Sequence, residues 1–158
     1  VVHQDWRYRD FVTLTAMVEH LVHAYGDVQC FDAAEELACD RRSFNSVAME
    51  LTQAQECARR LSNEFRDVTP QLPWRELRGM RNAIIHEYDA IDEEVLYGTA
   101  ISDAWELAQM LKPKVEAMAA AFGVELGKMW DEYGNVVQNQ HDVHFRSAMV
   151  QNRNADQS

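Results

Sequence analysis

No run of apolar residues in this chain approaches the roughly 20 residues that a membrane-spanning helix needs, and no secretory signal is visible. Cysteine is scarce. Cys30, Cys39 and Cys57 are odd in number and lack C-x-x-C spacing, which reads as free thiols in a reducing cytoplasm. No segment alternates like a strand, and no hairpin signal appears. There is no glycine-rich phosphate loop, no Ser-His-Asp pattern and no nucleotidyltransferase signature. Those absences remove several enzyme classes at once. The sequence opens on Val1 rather than Met, so a residue or more is expected to precede it.

What is present fits one small globular domain. The chain has 158 residues, 47% of them hydrophobic, which is enough for a packed core. Its formal net charge of −11 argues against nonspecific nucleic-acid binding. The charge is unevenly placed. Arg59, Arg60, Arg66, Arg75, Arg78 and Arg81 face only Glu64, Asp67 and Glu76 over residues 59–81. From 87 to 106 the sign reverses, with acids and no Lys or Arg. Lysine is rare beside arginine, a bias that suits fork-like phosphate contacts. For most of these arginines, a solvated helix face is the better reading.

The periodicity is helical throughout. Phe11, Leu14, Val18, Leu21, Val22 and Tyr25 recur at helical spacing, and Gly26 supplies a stop. Asp32 with Glu35 resembles a capping box that opens a short helix to about Ala38. Phe44, Val47, Ala48, Leu51, Ala54, Ala58, Leu61 and Phe65 form one long amphipathic stripe. Pro70 and Pro73 bound a loop, and Pro73 is placed to open the next helix. Asp92 can cap a further helix bearing Val95, Leu96, Trp105, Ala108, Leu111, Val115, Met118 and Phe122, which Pro113 should kink or break. The expectation is an all-α, four- to five-helix, mostly antiparallel bundle over residues 1–123. A C-terminal extension over 124–158 has helical potential around Val143–Val150 and a tail of disordered composition.

One octapeptide concentrates chemistry: Arg81-Asn82-Ala83-Ile84-Ile85-His86-Glu87-Tyr88. Arginine grips phosphate with a rigid fork of donors. Histidine titrates near neutral pH and can move a proton. Together they are the tools for cleaving an RNA backbone without a metal. On a helix turning roughly 100° per residue, Arg81 falls in the apolar arc of Trp74, Leu77, Met80, Ile84, Ile85, Tyr88 and Ile91. A charge there needs a partner or a polar cleft. Arg78, Asn82 and His86 form an i, i+4 row at the edge of that arc. Arg81 and His86 point roughly 140° apart on an ideal helix. Either the helix bends between them, or two copies share their motifs across a two-fold axis, which predicts a homodimer.

Pro73-Trp74, Gly79-Met80-Arg81-Asn82, His86-Glu87-Tyr88 and Asp92 stand at spacings that resemble the HepT group of HEPN-domain proteins. The resemblance spans roughly residues 6–122, including Gln55-Glu56 in the preceding helix. It implies a helical homodimer of HEPN type acting as an endoribonuclease that needs no metal or other cofactor. It also implies a toxin whose partner is a small MNT-type nucleotidyltransferase antitoxin, which silences it by transferring AMP to the tyrosine of the motif, here Tyr88. RNA is then the substrate, and neither DNA nor a membrane is an expected partner. Arg81, His86 and Asn82 would be catalytic, with Arg78 and Glu56 in support. The competing expectation is a non-catalytic HEPN subunit that binds a nucleotidyltransferase and presents nucleotide or substrate. The complete Arg81, His86, Tyr88 triplet favours the nuclease, and the acidic charge favours the adaptor.

Each residue has a plainer alternative. Taken alone, Arg81 is a helix-tying arginine, His86 a satisfied core histidine, and Tyr88 a core tyrosine whose hydroxyl needs a partner. Trp74 and Trp105 read as core anchors. His20 with His23, and His141 with His144, have metal-binding spacing but no visible third ligand, so solvated histidines are expected. Asp92-Glu93-Glu94 reads as a helix start complementing the dipole.

Overall fold

A computed structural model describes residues 6–75, 77 and 91–127. These belong, but for the last two, to the unit Val1–Glu125. Among the described residues there is no strand, and the fold is an all-α bundle.

Helix α1, Trp6–Val28, is the element on which the others assemble. Its buried residues fall in three rows at seven-residue spacing: Asp10, Met17 and Ala24; Phe11, Val18 and Tyr25; Leu14, Leu21 and Val28. Three apolar positions per two turns make a stripe broad enough to pack on two neighbours. One neighbour is α3, Arg41–Arg60. Ser46 Oγ donates to Asp27 Oδ2 at 2.6 Å, His20 Nδ1 lies 2.7 Å from Glu50 Oε2, and Ser62 donates to Asp10 from its backbone N–H and its hydroxyl. Numbers fall along α1 as they rise along α3, so the two helices are antiparallel. The other neighbour is α6, Ala104–Phe122. Tyr25 stacks on Trp105 with centroids 4.9 Å apart, and Tyr8 and Phe11 meet Phe122 at the other end. That pairing is antiparallel too, and Trp105 is the aromatic anchor its periodicity suggests.

The shorter elements follow from local chemistry, with some departures from expectation. Helix α1 runs past Gly26 to Val28; Val28 is fully buried, and this packing outweighs the helix penalty of one glycine. Helix α2 is Ala34–Cys39. Glu36, not Glu35, reaches back to accept from the Asp32 N–H at 3.0 Å. The single stripe from Phe44 to Phe65 is two helices, α3 and α4, Asn63–Val68. Ser62 breaks it: its hydroxyl oxygen caps the Phe65 N–H at 3.0 Å while Asp10 takes the Ser62 N–H. The Ser-Asn step prefers such local bonds to helix continuation.

Asp92 caps α5, Glu93–Gly98, by accepting from the Glu94 and Val95 N–H groups at 3.0 and 3.1 Å, as its position suggests. Helix α5 continues through a π-helical turn, Thr99–Asp103, into α6. Pro113 does not break α6, so the irregularity of this segment lies at the π turn instead. Gly123 ends α6 in the left-handed region, φ 65°, with the Val124 N–H returning to Ala119 O, a Schellman closure that glycine allows without strain.

Asp10 is fully buried, and its carboxylate holds the α3–α4 turn against α1. Asp10→Ala leaves the Ser62 N–H and hydroxyl without that acceptor and should destabilise the fold by about 2–3 kcal/mol. Urea unfolding checks this, and an unchanged midpoint would remove Asp10 from the account of the turn.

Candidate functional site

The motif residues Arg78, Arg81, Asn82, His86 and Tyr88 lie outside the described residues. What the structure gives is the frame that fixes the two ends of their segment. On the N-terminal side, Pro73 O accepts the first helical bond from the Leu77 N–H at 3.0 Å, so Pro73 precedes the helix and Trp74 begins it. Trp74 is clamped. Its indole N–H donates to Thr69 O at 2.9 Å, its ring meets Phe65 edge-on at 6.0 Å, and the Arg66 guanidinium lies 5.5 Å from its centroid. The Thr69 hydroxyl, fully buried, donates to Phe65 O, and Leu72 and Leu77 are buried beside it. Trp74 is therefore an anchor, as its position in the apolar arc suggests.

On the C-terminal side the anchor is α5. The Asp92 cap starts it, and the Tyr97 hydroxyl donates to Phe31 O at 2.8 Å. Burial, and then the charges of Asp32 and Glu36, hold that hydroxyl's pKa above its ordinary value. Phe65, which the Trp74 ring meets, has its N–H capped by Ser62, the residue that Asp10 of α1 holds. Phe31 lies just beyond the end of α1.

Glu56 is the one supporting candidate within the described residues. It is half-buried, and both its oxygens engage the exposed Arg59 guanidinium, at 3.0 Å from Nε and 2.6 Å from Nη2. Those bonds raise the Arg59 pKa above its ordinary value. A surface pair of this kind adds little stability. Any approach of Glu56 to Arg81 or His86 lies outside the described residues.

The residue beside it, Gln55, entered the sequence reading only as part of the family resemblance and with no role of its own. Gln55 is 5% exposed, and neither its Oε1 nor its Nε2 has a hydrogen-bond partner among the described residues. A buried amide in that state is an exception that calls for a reason. The signal was available: Gln55 interrupts the apolar stripe between Leu51, Ala54 and Ala58.

A second grouping was half visible. His20 and His23 share one face of α1, and the structure brings Glu50 of α3 to them. His20 Nδ1 lies 2.7 Å from one Glu50 oxygen and His23 Nδ1 3.7 Å from the other. The third ligand type that the two histidines lacked in sequence stands 30 residues away. His141 and His144 lie outside the described residues.

The family described as Ribonuclease HepT-like matches residues 14–113, well over half of the chain. The chain belongs to the HepT-like ribonuclease family. A protein of Thermococcus cleftensis named as a probable ribonuclease HepT is 29% identical over 96 residues, covering 61% of this chain and 84% of that protein. Two further relatives are named provisionally as RNases. One, from Caldanaerobacter subterraneus subsp. tengcongensis, is 33% identical over 57 residues, which is 36% of this chain and 51% of that protein. The other, from Methanocaldococcus jannaschii, is 34% identical over 61 residues, or 39% and 49%. No solved structure matches the chain at a significant level. The HepT-like match runs from α1 into α6 and includes the whole of residues 73–92, so the motif segment and both its anchors fall inside it.

Gln55→Met keeps the side-chain volume and removes two buried polar atoms that lack partners among the described residues. It should leave thermal stability unchanged or raise it by about 1 kcal/mol. A clear fall in the unfolding midpoint would show that the amide is hydrogen-bonded in solution.

Proposed function

We propose that this chain is a metal-independent endoribonuclease, the toxin of a two-component pair, silenced by AMP transfer to Tyr88 from a small MNT-type nucleotidyltransferase antitoxin. The observation that carries the proposal is the complete Arg81-x4-His86-x-Tyr88 pattern, with Asn82 beside Arg81, in a chain of the HepT-like ribonuclease family. The ribonuclease names of the relatives support the substrate class.

The chemistry follows from the residue types. His86 takes the proton of a ribose 2′-OH as that oxygen attacks the adjacent phosphorus. The bond from phosphorus to the 5′-oxygen breaks, and an imidazolium returns a proton to the leaving oxygen. The products are a 2′,3′-cyclic phosphate and a 5′-hydroxyl. Arg81 holds the phosphate and stabilises the charge that builds in the transition state. Asn82 orients His86 or the phosphate, with Arg78 and Glu56 in support. A homodimer supplies two histidines for the base and acid roles, which fits the poor alignment of Arg81 with His86 on one straight helix. No described helix is long and apolar enough to cross a membrane, and the three cysteines are free thiols; both suit work in the cytoplasm.

Tyr88 stands seven residues after Arg81, which on a helix returns it to nearly the same face. An AMP on its hydroxyl brings about one negative charge and considerable bulk over the arginine. Modification therefore competes with RNA for Arg81. The net charge of −11 favours the second reading, an adaptor that binds the nucleotidyltransferase without cleaving RNA.

Cleavage of RNA by the purified dimer should persist in excess EDTA. Arg81→Ala and His86→Ala should each lower the rate by about 10²–10⁴-fold while circular dichroism stays native. An active His86→Ala protein, or activity that requires added magnesium, rejects the mechanism, and a native protein inert on every RNA favours the adaptor.

Co-expression with a cognate nucleotidyltransferase should add one or more AMP masses to the peptide containing Tyr88. Tyr88→Phe should block the addition and leave a nuclease that the partner cannot silence by modification. AMP mapped to another residue would overturn this account of control.

A further inference from the structure

We propose that His20, His23 and Glu50 form a binding site for one zinc-class divalent cation on the seam between α1 and α3. The inference is independent of the ribonuclease reading, since it rests on residues that the proposed cleavage does not use.

Helical spacing puts the two rings on one face of α1, the face turned to α3. One potential ligand atom from each of the three side chains lies within 4.8 Å of the others. A tetrahedral ion with bonds of about 2.0–2.2 Å needs its ligands roughly 3.3–3.6 Å apart. The 2.7 Å contact from His20 to Glu50 must open slightly and the widest separation must close. Side-chain rotation suffices for both, because none of the three is locked in the core: His20, His23 and Glu50 are 30%, 39% and 23% exposed. That exposure also gives an ion, with a water in its fourth position, a way in.

His20 Nδ1 meets one carboxylate oxygen at hydrogen-bond distance, and His23 Nδ1 faces the other at 3.7 Å, within ion-pair reach. Glu50 thus turns one oxygen toward each imidazole. Two imidazoles and one carboxylate suit zinc and its first-row neighbours, while magnesium and calcium prefer sets made of oxygen.

Without the ion, the 2.7 Å His20–Glu50 contact holds this part of the seam. With it, the cation joins α1 to α3 between the Asp27–Ser46 and Asp10–Ser62 contacts. The ligands come from two helices and converge only in the folded chain, so binding stabilises the fold.

The test uses the full chain, stripped with EDTA and titrated with zinc chloride against a chromophoric chelator. One ion should bind per chain, and the unfolding midpoint should rise with zinc concentration. Glu50→Gln and His23→Ala should each weaken binding by more than about tenfold, since loss even of an outer-shell partner commonly costs that much. Both should also cancel the rise in midpoint. His23→Ala keeps the His20–Glu50 bond, so it separates ligation from the ion pair. Cobalt in place of zinc should show the visible bands of a four-coordinate nitrogen–oxygen site and no thiolate charge-transfer band. No binding by the native chain overturns the proposal. So does equal affinity in native, Glu50→Gln and His23→Ala proteins, or a thiolate band, since the ion then sits elsewhere.

Discussion

The burial of α1 between α3 and α6 is the constraint on which the rest of this fold depends. A helix with a single apolar stripe needs one partner; α1 carries three buried rows and takes two. Phe11, Leu14, Met17, Leu21 and Val28 lose nearly all contact with water in the process. Burial of each such side chain contributes about 1.5–3 kcal/mol, so this central packing outweighs any single polar contact at its edges. The polar contacts serve another purpose. Asp27 with Ser46, His20 with Glu50 and Asp10 with Ser62 occur at successive heights along one seam, and together they fix the register of α3 against α1.

That register reaches the motif segment through its ends. Asp10 draws in Ser62, which stops α3 and caps α4. Helix α4 presents Phe65 and Arg66 to Trp74, where the next helix begins. At the other end Asp92 caps α5, and Tyr97 ties α5 to the loop after α1. The chain of contacts that ends on Trp74 thus begins at a buried carboxylate, Asp10, far from it in sequence.

The central helices were legible in the sequence because their periodicity is strong. The apolar positions of α1 and α6 repeat over five turns, which outweighs the local signals of Gly26 and Pro113 within them. Asp92 was legible as a cap because a cap is local chemistry within three residues. Leu61–Ser62 was not legible as a break. The stripe continues through it to Phe65, and the carboxylate that stabilises the turn is 52 residues distant. Pro113 misled in the opposite sense: α6 is held on both sides of it by Leu111 and Val115, each buried. The candidate site was read from residue types and spacing within one octapeptide, and no tertiary contact was needed to suspect it.

The sequence by itself therefore determined the all-α class, the family and the chemistry that Arg81, His86 and Tyr88 can offer, since each rests on residue identity and short-range spacing. Only the tertiary structure decided that α1 is the shared helix, that Asp10 is a buried acceptor rather than a surface charge, and that Glu50 completes a triad with His20 and His23. It also showed Gln55 to be a buried amide without a partner among the described residues. The physical reason is common to all four. Burial and pairing arise where segments distant in the chain meet, and a residue's own neighbours in sequence carry no record of what will pack across from it.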